Sequence, residues 1–457
     1  MSKPQIVNES LEKWLKIFST LLISLVAFET VAVATAMPFV VEILHGENFY
    51  ALASGVALAA QMLTTVLAGP WCDTRGPKPS LYTGTLLFIA GLLVATAAPS
   101  VQILIVGRAI QGLGGGLMVV PLYVLVSAHV APARQPAFFA LFSAAWVLPS
   151  MVGPVIAGYL VDYVHWRWVF GMTPLLLAFV LPFSVMKIQR FPNPPLQPAP
   201  KRAGKIAIFA IGTASMVGLL QVLSGTEAGE FDWQIFAAIL LATVATFVLV
   251  RPLLPPGSLR AANPLGATVL MRGMLNGTFL TVEIFLPLML KNIHGWGPTQ
   301  AGIVLTAGSF SWALGSWIQG RIFSQTYRAL LPFWGTVGFL LGILIASVGI
   351  LPQVPGWMAI FGWLIAGLGI GTIYPALTVH ALEITPPGAK GATSSAVQVA
   401  DTMGAALCIA YGGIIFAVAG GGGPTAFFAV IGLMAAILIL ALFVSNRVGV
   451  MEGYRNE

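Results

Sequence analysis

Residues 17–41 read IFSTLLISLVAFETVAVATAMPFVV, an apolar run in which Glu29 is the single charged side chain. A helix needs about 20 predominantly apolar residues to cross a hydrocarbon core of about 30 Å. The run is longer than the apolar core of a cleaved signal peptide, which has about 7–15 residues. We therefore expect a transmembrane helix that is retained in the mature protein.

The composition of the whole chain agrees with this interpretation. Of its 457 residues, 58% are hydrophobic and 8% are charged, whereas soluble domains average about 45–50% apolar and about 25% charged residues. Such a chain lacks the polar surface of a soluble enzyme, a coiled coil or a disordered scaffold. Its apolar runs are continuous, while the strands of a membrane β-barrel alternate in hydrophobicity. The sequence thus predicts an all-α polytopic membrane protein.

Similar apolar runs recur along the chain and are joined by short connections, which leave no room for a separate soluble domain. They predict fourteen spans, at residues 17–41, 50–71, 80–98, 102–127, 137–161, 168–188, 204–224, 233–253, 266–290, 300–322, 330–350, 356–380, 392–419 and 424–445.

Lysine and arginine alternate between the two sides of these spans. Cytoplasmic loops are enriched in both residues. With a cytoplasmic N-terminus, 18 of the 22 basic residues fall in inner loops and tails, and the other four are Arg167, Lys291, Arg108 and Arg272. Arg167 and Lys291 are in outer loops, while Arg108 and Arg272 are within spans. This predicts a cell-membrane protein with both termini in the cytoplasm, in contact with lipid and not with nucleic acid.

Two proline-rich stretches, in residues 189–203 and 251–257, divide the spans into groups of six, two and six. Paired six-helix halves are the usual construction of secondary transporters. We expect two pseudo-symmetric six-helix bundles plus two inserted helices. The predicted units are a cytoplasmic N-terminal segment (1–16), an N-terminal bundle (17–188), a cytoplasmic linker (189–203), the inserted helices (204–253), a C-terminal bundle (266–445) and a cytoplasmic tail (446–457).

The sequence offers no cofactor site. Its two cysteines, Cys72 and Cys408, and its five scattered histidines form no disulfide framework, metal-ligand spacing or nucleophile constellation. The glycine-rich residues 112–116 lie inside an apolar span and lack the Lys-Ser/Thr pair of an ATP-binding loop. We expect no cofactor and no metal, and a source of energy in an ion or solute gradient.

The loop between spans 2 and 3 reads GPWCDTRGPK over residues 69–78. An acid and bases around a two-glycine turn suit a latch between helices at the lipid headgroups. The stretch resembles the loop 2–3 signature of the major facilitator superfamily, with Gly69, Asp73, Gly76 and Lys78 in place and Thr74 replacing an arginine. The resemblance implies a gating role, and the alternative is an ordinary cytoplasmic turn.

Two further stretches resemble motifs of the same superfamily. Residues 108–116, RAIQGLGGG, resemble its span 4 motif, in which the arginine (here Arg108) is implicated in proton coupling. An arginine inside a span costs about 2.5–3.5 kcal/mol on insertion scales and so faces a partner or a cavity, or else snorkels to the interface. Gly153, Pro154 and Gly158 match the "antiporter motif" of exporters, in which proline and glycine produce a bent packing surface.

Three acids lie deep in spans: Glu29 in span 1, Glu283 in span 9 and Asp401 in span 13. An intramembrane acid is a functional candidate because it can take up and release a proton or pair with a cationic ligand. Glu29 and Glu283 lie at related positions in the first spans of the two halves. Span 1 also resembles a segment of the same superfamily, in which Glu29 stands in place of an aspartate. The alternative is a structural acid, permanently protonated or paired with a base such as Arg272.

Other polar and aromatic side chains lie within spans. They are candidates for lining a cavity that accepts an amphipathic solute, and packing between helices is the alternative. These residues are Gln61, Tyr123, Trp146, Asn276, Trp312, Tyr374 and Gln398.

The resemblance covers nearly the whole chain, and fourteen spans make it similar to the drug:proton antiporter branch of the superfamily. It implies a proton-coupled secondary active exporter of lipophilic, cationic drugs or toxic compounds that works as a monomer by alternating access. Export of a lipid or an endogenous metabolite on the same fold remains open. A membrane-embedded enzyme or a sensor without transport has little support in the sequence.

Overall fold

The computed structural model describes residues 9–131, 134–192, 194, 196, 203–226, 232–321, 325–386 and 390–449. It contains fourteen helices that are long and apolar enough to cross a membrane, and the described residues include no β-strand. The predicted all-α fold with fourteen spans is confirmed. The predicted segments 1–16, 189–203 and 446–457 lie partly outside the described residues.

The six N-terminal spans form a first group of helices. They are α1 (Glu9–Ile43), α2 (Tyr50–Arg75), α3 (Pro77–Ala97), α4 (Val101–His129), α5 (Gln135–Tyr159) and α6 (Arg167–Ile188). Helix α1 begins eight residues before the predicted span, and its added turns are held by an ion pair of 2.9 Å between Glu12 and Arg134. Helix α5 continues into a π-helical turn at Leu160–Val164.

Two inserted helices and the C-terminal six complete the bundle. They are α7 (Ala203–Leu223), α8 (Trp233–Leu249), α9 (Pro264–His294), α10 (Pro298–Gln319), α11 (Gln325–Ser347), α12 (Met358–Glu383), α13 (Lys390–Val418) and α14 (Pro424–Ser445). Local signals set some of the ends. Asn263 accepts a hydrogen bond of 2.7 Å from the Gly266 amide and so caps the start of α9. The helix ends at His294 and is followed by Gly295, which has a φ of +66°.

Close helix contacts have the same arrangement in both halves. Helix α4 packs between α2 and α3, and α12 packs between α10 and α11. A Cβ atom at Gly112 of α4 would collide with the Ala57 carbonyl of α2, and one at Gly371 of α12 would collide with the Trp312 carbonyl of α10. Small residues allow this approach in membranes, where helices associate through packing. The repeated arrangement relates α1–α6 to α9–α14.

Candidate transport cavity

A cavity lies between the two halves at the centre of the bundle. Its walls come from α1, α2, α3 and α4 of the N-terminal half and from α9 of the C-terminal half. The polar residues that line it are Thr30, Ser54, Gln61, Arg108, Gln111 and Glu283. The remaining residues of the lining are apolar. An apolar lining with a few polar groups is typical of sites for small molecules.

Arg108 contributes the positive charge of this cavity. It is buried, and its Nη1 donates a hydrogen bond to Oε1 of Gln111, one helical turn further along α4. Its Nε has no hydrogen-bond partner within the described residues. The sequence interpretation of Arg108 as a cavity-facing residue therefore agrees with its position. Gln111, which belongs to the same motif, orients the guanidinium.

Glu283 is the negative group of the cavity, and it belongs to the opposite half. It is 3% exposed and lines the cavity from α9. In the part of the chain that the structure describes, no hydrogen bond or ion pair is formed by its carboxyl. Placing an unpaired carboxylate away from water costs several kcal/mol. Glu283 is therefore a group that favours the arrival of a proton or a cation.

Glu29 lies near the same place but is not one of the residues that line the cavity. It is 1% exposed, and the neighbouring polar groups that act on its carboxyl are Thr173 of α6 and Arg108 of α4. Neither carboxyl oxygen has a hydrogen-bond partner among the described residues. The related positions of Glu29 and Glu283 in the two halves thus do not give them the same surroundings. Arg108 is the polar residue that both contacts the cavity and acts on Glu29.

Asp401 differs from the other two acids because a base holds it in place. Its Oδ1 accepts a hydrogen bond of 3.2 Å from Nε of Arg272, and its Oδ2 pairs with Nη2 of the same side chain. Arg272 also donates to the Tyr374 carbonyl at 2.9 Å and to the Thr378 hydroxyl, and it lies over the Tyr374 ring. This buried, fully bonded pair joins α9, α12 and α13 and fits a structural role.

The halves meet at one end of the bundle, which we call the closed end: the end where α1 finishes and α2 begins. Lys291 of α9 forms an ion pair of 2.7 Å with Glu42 and donates to the Pro38 carbonyl at 2.9 Å. Asp162 accepts a hydrogen bond of 3.0 Å from the Thr299 amide at the start of α10. These contacts bridge the N-terminal and C-terminal halves.

The predicted antiporter motif also lies at the closed end. A Cβ atom at Gly158 would lie 2.6 Å from the Pro298 carbonyl oxygen, and one at Gly153 would lie 2.9 Å from Val31 of α1. The Pro154 carbonyl packs against Gly302 of α10. Pro154 and Gly158 therefore allow α5 to pack closely against α10 of the opposite half, while Gly153 allows it to pack against α1.

We call the other end of the bundle, where α1 begins and α2 finishes, the open end. Side chains there that the sequence predicted to line a cavity are exposed: Tyr123, Trp146 and Gln398. Tyr123 also packs edge-on against Phe142. The polar contacts between the halves described above thus lie at the closed end, while these exposed side chains lie towards the open end.

Comparison with known proteins agrees with this architecture. The sequence profile of the Major Facilitator Superfamily matches residues 19–337, well over half of the chain. The chain belongs to this superfamily. Its fourteen spans make it a multi-pass membrane protein.

Relatives in the superfamily include named drug transporters. The chain is similar to Multidrug resistance protein 3 of Bacillus subtilis (strain 168), at 25% identity over 383 residues, which cover 81% of this chain and 73% of that protein. It is also similar to a probable multidrug-efflux transporter of Mycobacterium tuberculosis, at 26% identity over 438 residues, which cover 92% of this chain and 89% of the relative.

Solved structures of the superfamily share the fold. A peptide transporter POT in complex with sulfate has a TM-score of 0.65 and 17% identity, covering 95% of each chain. The xylose transporter XylE from E. coli, in an inward open conformation, has a TM-score of 0.63 and 16% identity, covering 96% of this chain and 97% of that one.

The superfamily's loop 2–3 signature lies at the open end. Gly76 has a φ of +82° and a ψ of 165°, a backbone conformation that is essentially restricted to glycine. Lys78 donates a hydrogen bond of 3.2 Å to the Gln189 carbonyl and so joins the start of α3 to the end of α6. Asp73 is exposed and has no ion pair with a described residue, and Gly69 has open space around it. The expected latch between Asp73 and a base is therefore not formed in this state.

The remaining cavity candidates have separate surroundings. Gln61 lines the cavity. Asn276 donates a hydrogen bond of 3.0 Å to the Asp401 carbonyl, and Trp312 packs edge-on against Tyr374. Thr30 and Ser54 also line the cavity, but nothing in the sequence distinguishes their hydroxyls from the many others in apolar spans. The family motif at residues 108–116 does contain Gln111.

Proposed function

We propose that this protein is a proton-coupled exporter of lipophilic cations, working as a monomer by alternating access in the cell membrane. The observation that carries the proposal is the pair of buried carboxyls without hydrogen-bond partners. Glu283 lines the cavity, whereas Glu29 is outside its lining and is buried with neither oxygen bonded to a described residue. The drug-transporter relatives support export, and the absence of any nucleophile or metal spacing in the sequence favours transport over catalysis.

Glu283 is the group that we assign to cargo. A monovalent cation with an apolar body fits the apolar walls of the cavity and neutralises the carboxylate. A proton neutralises the same carboxylate, and so the two occupants exclude each other. Such exclusion is the basis of exchange, because each occupant stabilises the buried site only in the absence of the other.

Glu29 is the group that we assign to the proton. It is 1% exposed and is not among the residues that line the cavity, which supports assigning it to a proton instead of a bulky cation. Arg108 acts on Glu29 and lines the cavity. The charge state of Glu29 therefore alters the electrostatic field that a cation meets beside Glu283. This is a coupling between two sites that requires no contact between cargo and proton.

The distribution of basic residues supports an orientation with both the N-terminus and the C-terminus in the cytoplasm. With that orientation the open end faces the cytoplasm and the closed end faces outward. The exposed Asp73 then belongs to a cytoplasmic latch that is released. In the opposite state, parting of the contacts at Gly158 and Lys291 delivers the cargo outside.

Reconstitution into proteoliposomes with an imposed pH gradient tests the proposal, with efflux of a lipophilic cationic dye as the readout. We expect wild-type export to follow the gradient and Glu29→Gln to abolish that response. Glu283→Gln should raise the KM for the dye. Glu47→Gln, at an exposed loop carboxyl, is the matched control and should behave as wild type.

Two results would contradict this assignment. Dye movement that ignores the pH gradient in the wild type would remove proton coupling. A full gradient response in Glu29→Gln would move the proton site to Glu283. Export of a lipid or an endogenous metabolite is the second candidate, and the exposed apolar side chains of Val147 in α5 and Phe310 in α10, two helices that join the halves, favour it.

A further inference from the structure

The two halves meet along two helix pairs, α2 with α13 and α5 with α10, and we call each line of contact a seam. Along the α2–α13 seam, Ala51 packs against Gly413 at the closed end. Towards the open end the facing side chains stay buried in one apolar cluster. This cluster includes Ala59, Met62 and Val66 of α2 and Val399, Met403, Ala406 and Ala410 of α13.

The inserted helix α7 is what buries this seam. One face of α7 is fully packed into the same cluster, through Ala210, Val217 and Leu220 at helical spacing. Gln221 of α7 donates a hydrogen bond of 2.9 Å to the Ala406 carbonyl of α13. The space that Gly55 of α2 leaves free is filled by the Gln221 side chain. Helix α7 thus contacts both halves at once.

Helix α8 holds α7 in position from the outside. The two inserted helices pack against each other, and the Leu249 side chain of α8 lies 3.1 Å from the place where a Cβ atom of Gly212 would stand. Thr243 of α8 shares a hydrogen bond with the Tyr411 hydroxyl of α13. The hairpin α7–α8 is therefore bonded across the seam and is not a loose appendage.

The α5–α10 seam has the opposite character. Pro154 and Gly158 of α5 contact α10 at the closed end. Val147 lies on the same face of α5 as Pro154, two helical turns towards the open end. Val147 is 37% exposed, and Phe310 of α10 is 55% exposed. Equivalent residues of the other seam are buried, and so this seam is uncovered in the described structure.

We propose that α7 closes the α2–α13 seam to the bilayer, so that lipophilic cations reach the cavity from the membrane only through the α5–α10 seam. This proposal rests on the proposed export of lipophilic cations. The occupant that fits is a cation with a long alkyl chain. Its charged head is drawn to Glu283, while its chain stays among apolar side chains and lipid instead of crossing water.

The first test compares two cations that share a head group, hexadecylpyridinium and ethylpyridinium, in proteoliposomes with an imposed pH gradient. Val147→Trp adds bulk to the uncovered seam at an exposed position, where folding tolerates it. We expect export of the hexadecyl cation to slow by about tenfold, since crowding a passage costs about 1.4 kcal/mol or more. Export of the ethyl cation, which is water-soluble, should be unchanged.

Leu86→Trp is the matched control, because Leu86 is an exposed leucine of α3, a helix that contacts α2, α4 and α6. It should leave both cations unaffected. Equal slowing of both cations by Val147→Trp, or no slowing of either, would overturn the proposed route. Failure of the wild type to export either cation in response to the gradient would instead overturn the proposed function, and so the two failures are distinguishable.

The second test uses a hexadecyl cation that carries a photoreactive group in its chain. In the wild type it should label peptides of α5 and α10 along the route and peptides of the cavity walls, which include α2, and leave α13 unlabelled. Val217→Ala thins the packed face of α7 and should add labelling of α13. Labelling of α13 in the wild type, or an unchanged pattern in Val217→Ala, would refute the closure of that seam by α7.

Discussion

Replacing Gly158 by alanine should loosen the closed end. The new Cβ atom would lie 2.6 Å from the Pro298 carbonyl oxygen and 2.7 Å from the Thr299 Cα. Non-bonded carbon atoms prefer about 3.5–4.0 Å, so α5 and α10 must separate by about 1 Å. Both neighbours are backbone atoms and cannot rotate away. Overpacking of this kind costs about 1–3 kcal/mol.

This cost applies to the state in which the closed end is shut. At about 1.4 kcal/mol for each factor of ten, the shut state loses about 5- to 150-fold in population relative to the opposite state. A cysteine at position 54 reports the change, because Ser54 lines the cavity and its hydroxyl has no hydrogen bond within the described residues. Both native cysteines, Cys72 and Cys408, are first replaced by alanine.

The assay adds a membrane-impermeant maleimide outside intact cells and follows labelling of Ser54→Cys. From that side the reagent reaches the cavity only when the closed end parts. We expect Gly158→Ala to speed labelling within the range worked out above. Gly432→Ala is the matched control, because a Cβ atom there has no neighbour within 4 Å. Equal rates for the two variants would refute the role of the α5–α10 contact as the closure.

Three further changes test other parts of the structure. Asp401→Asn leaves the buried charge of Arg272 without its carboxylate and should lower the stability of the protein by about 3–5 kcal/mol. In detergent, the variant should lose its monodisperse form at a lower temperature than the wild type. An unchanged temperature would contradict a structural role. Gly76→Ala places an alanine in a backbone conformation that is essentially restricted to glycine, which costs about 1–3 kcal/mol. The variant should lose its monodisperse form at a lower temperature, and an unchanged temperature would contradict this cost. Lys291→Gln removes the ion pair with Glu42, whose side chain is 57% exposed. Because exposed ion pairs contribute little, the rate of labelling from outside should rise by less than about fivefold. A larger rise would contradict this minor role of the pair.

The sequence alone determined the number and type of the elements. Each span satisfies its own backbone hydrogen bonds in lipid, and so the apolar run from residue 17 to residue 41 suffices to predict a helix. Glycines such as Gly158 were found from their motif, because close approach of two helices leaves small residues in the sequence of each. The apolar setting of Glu29 and Glu283 is equally local.

Only the tertiary structure decided which way these side chains face. In a membrane both the lipid and the protein interior are apolar, so hydrophobic periodicity does not reveal the inner face of a helix. For this reason the sequence does not predict that Glu283 belongs to the lining of the cavity and that Glu29 does not. Nor could it pair Asp401 with Arg272 across 129 residues, since that contact depends on how α9 and α13 are rotated against each other. The position of α7 along one seam is likewise a product of packing.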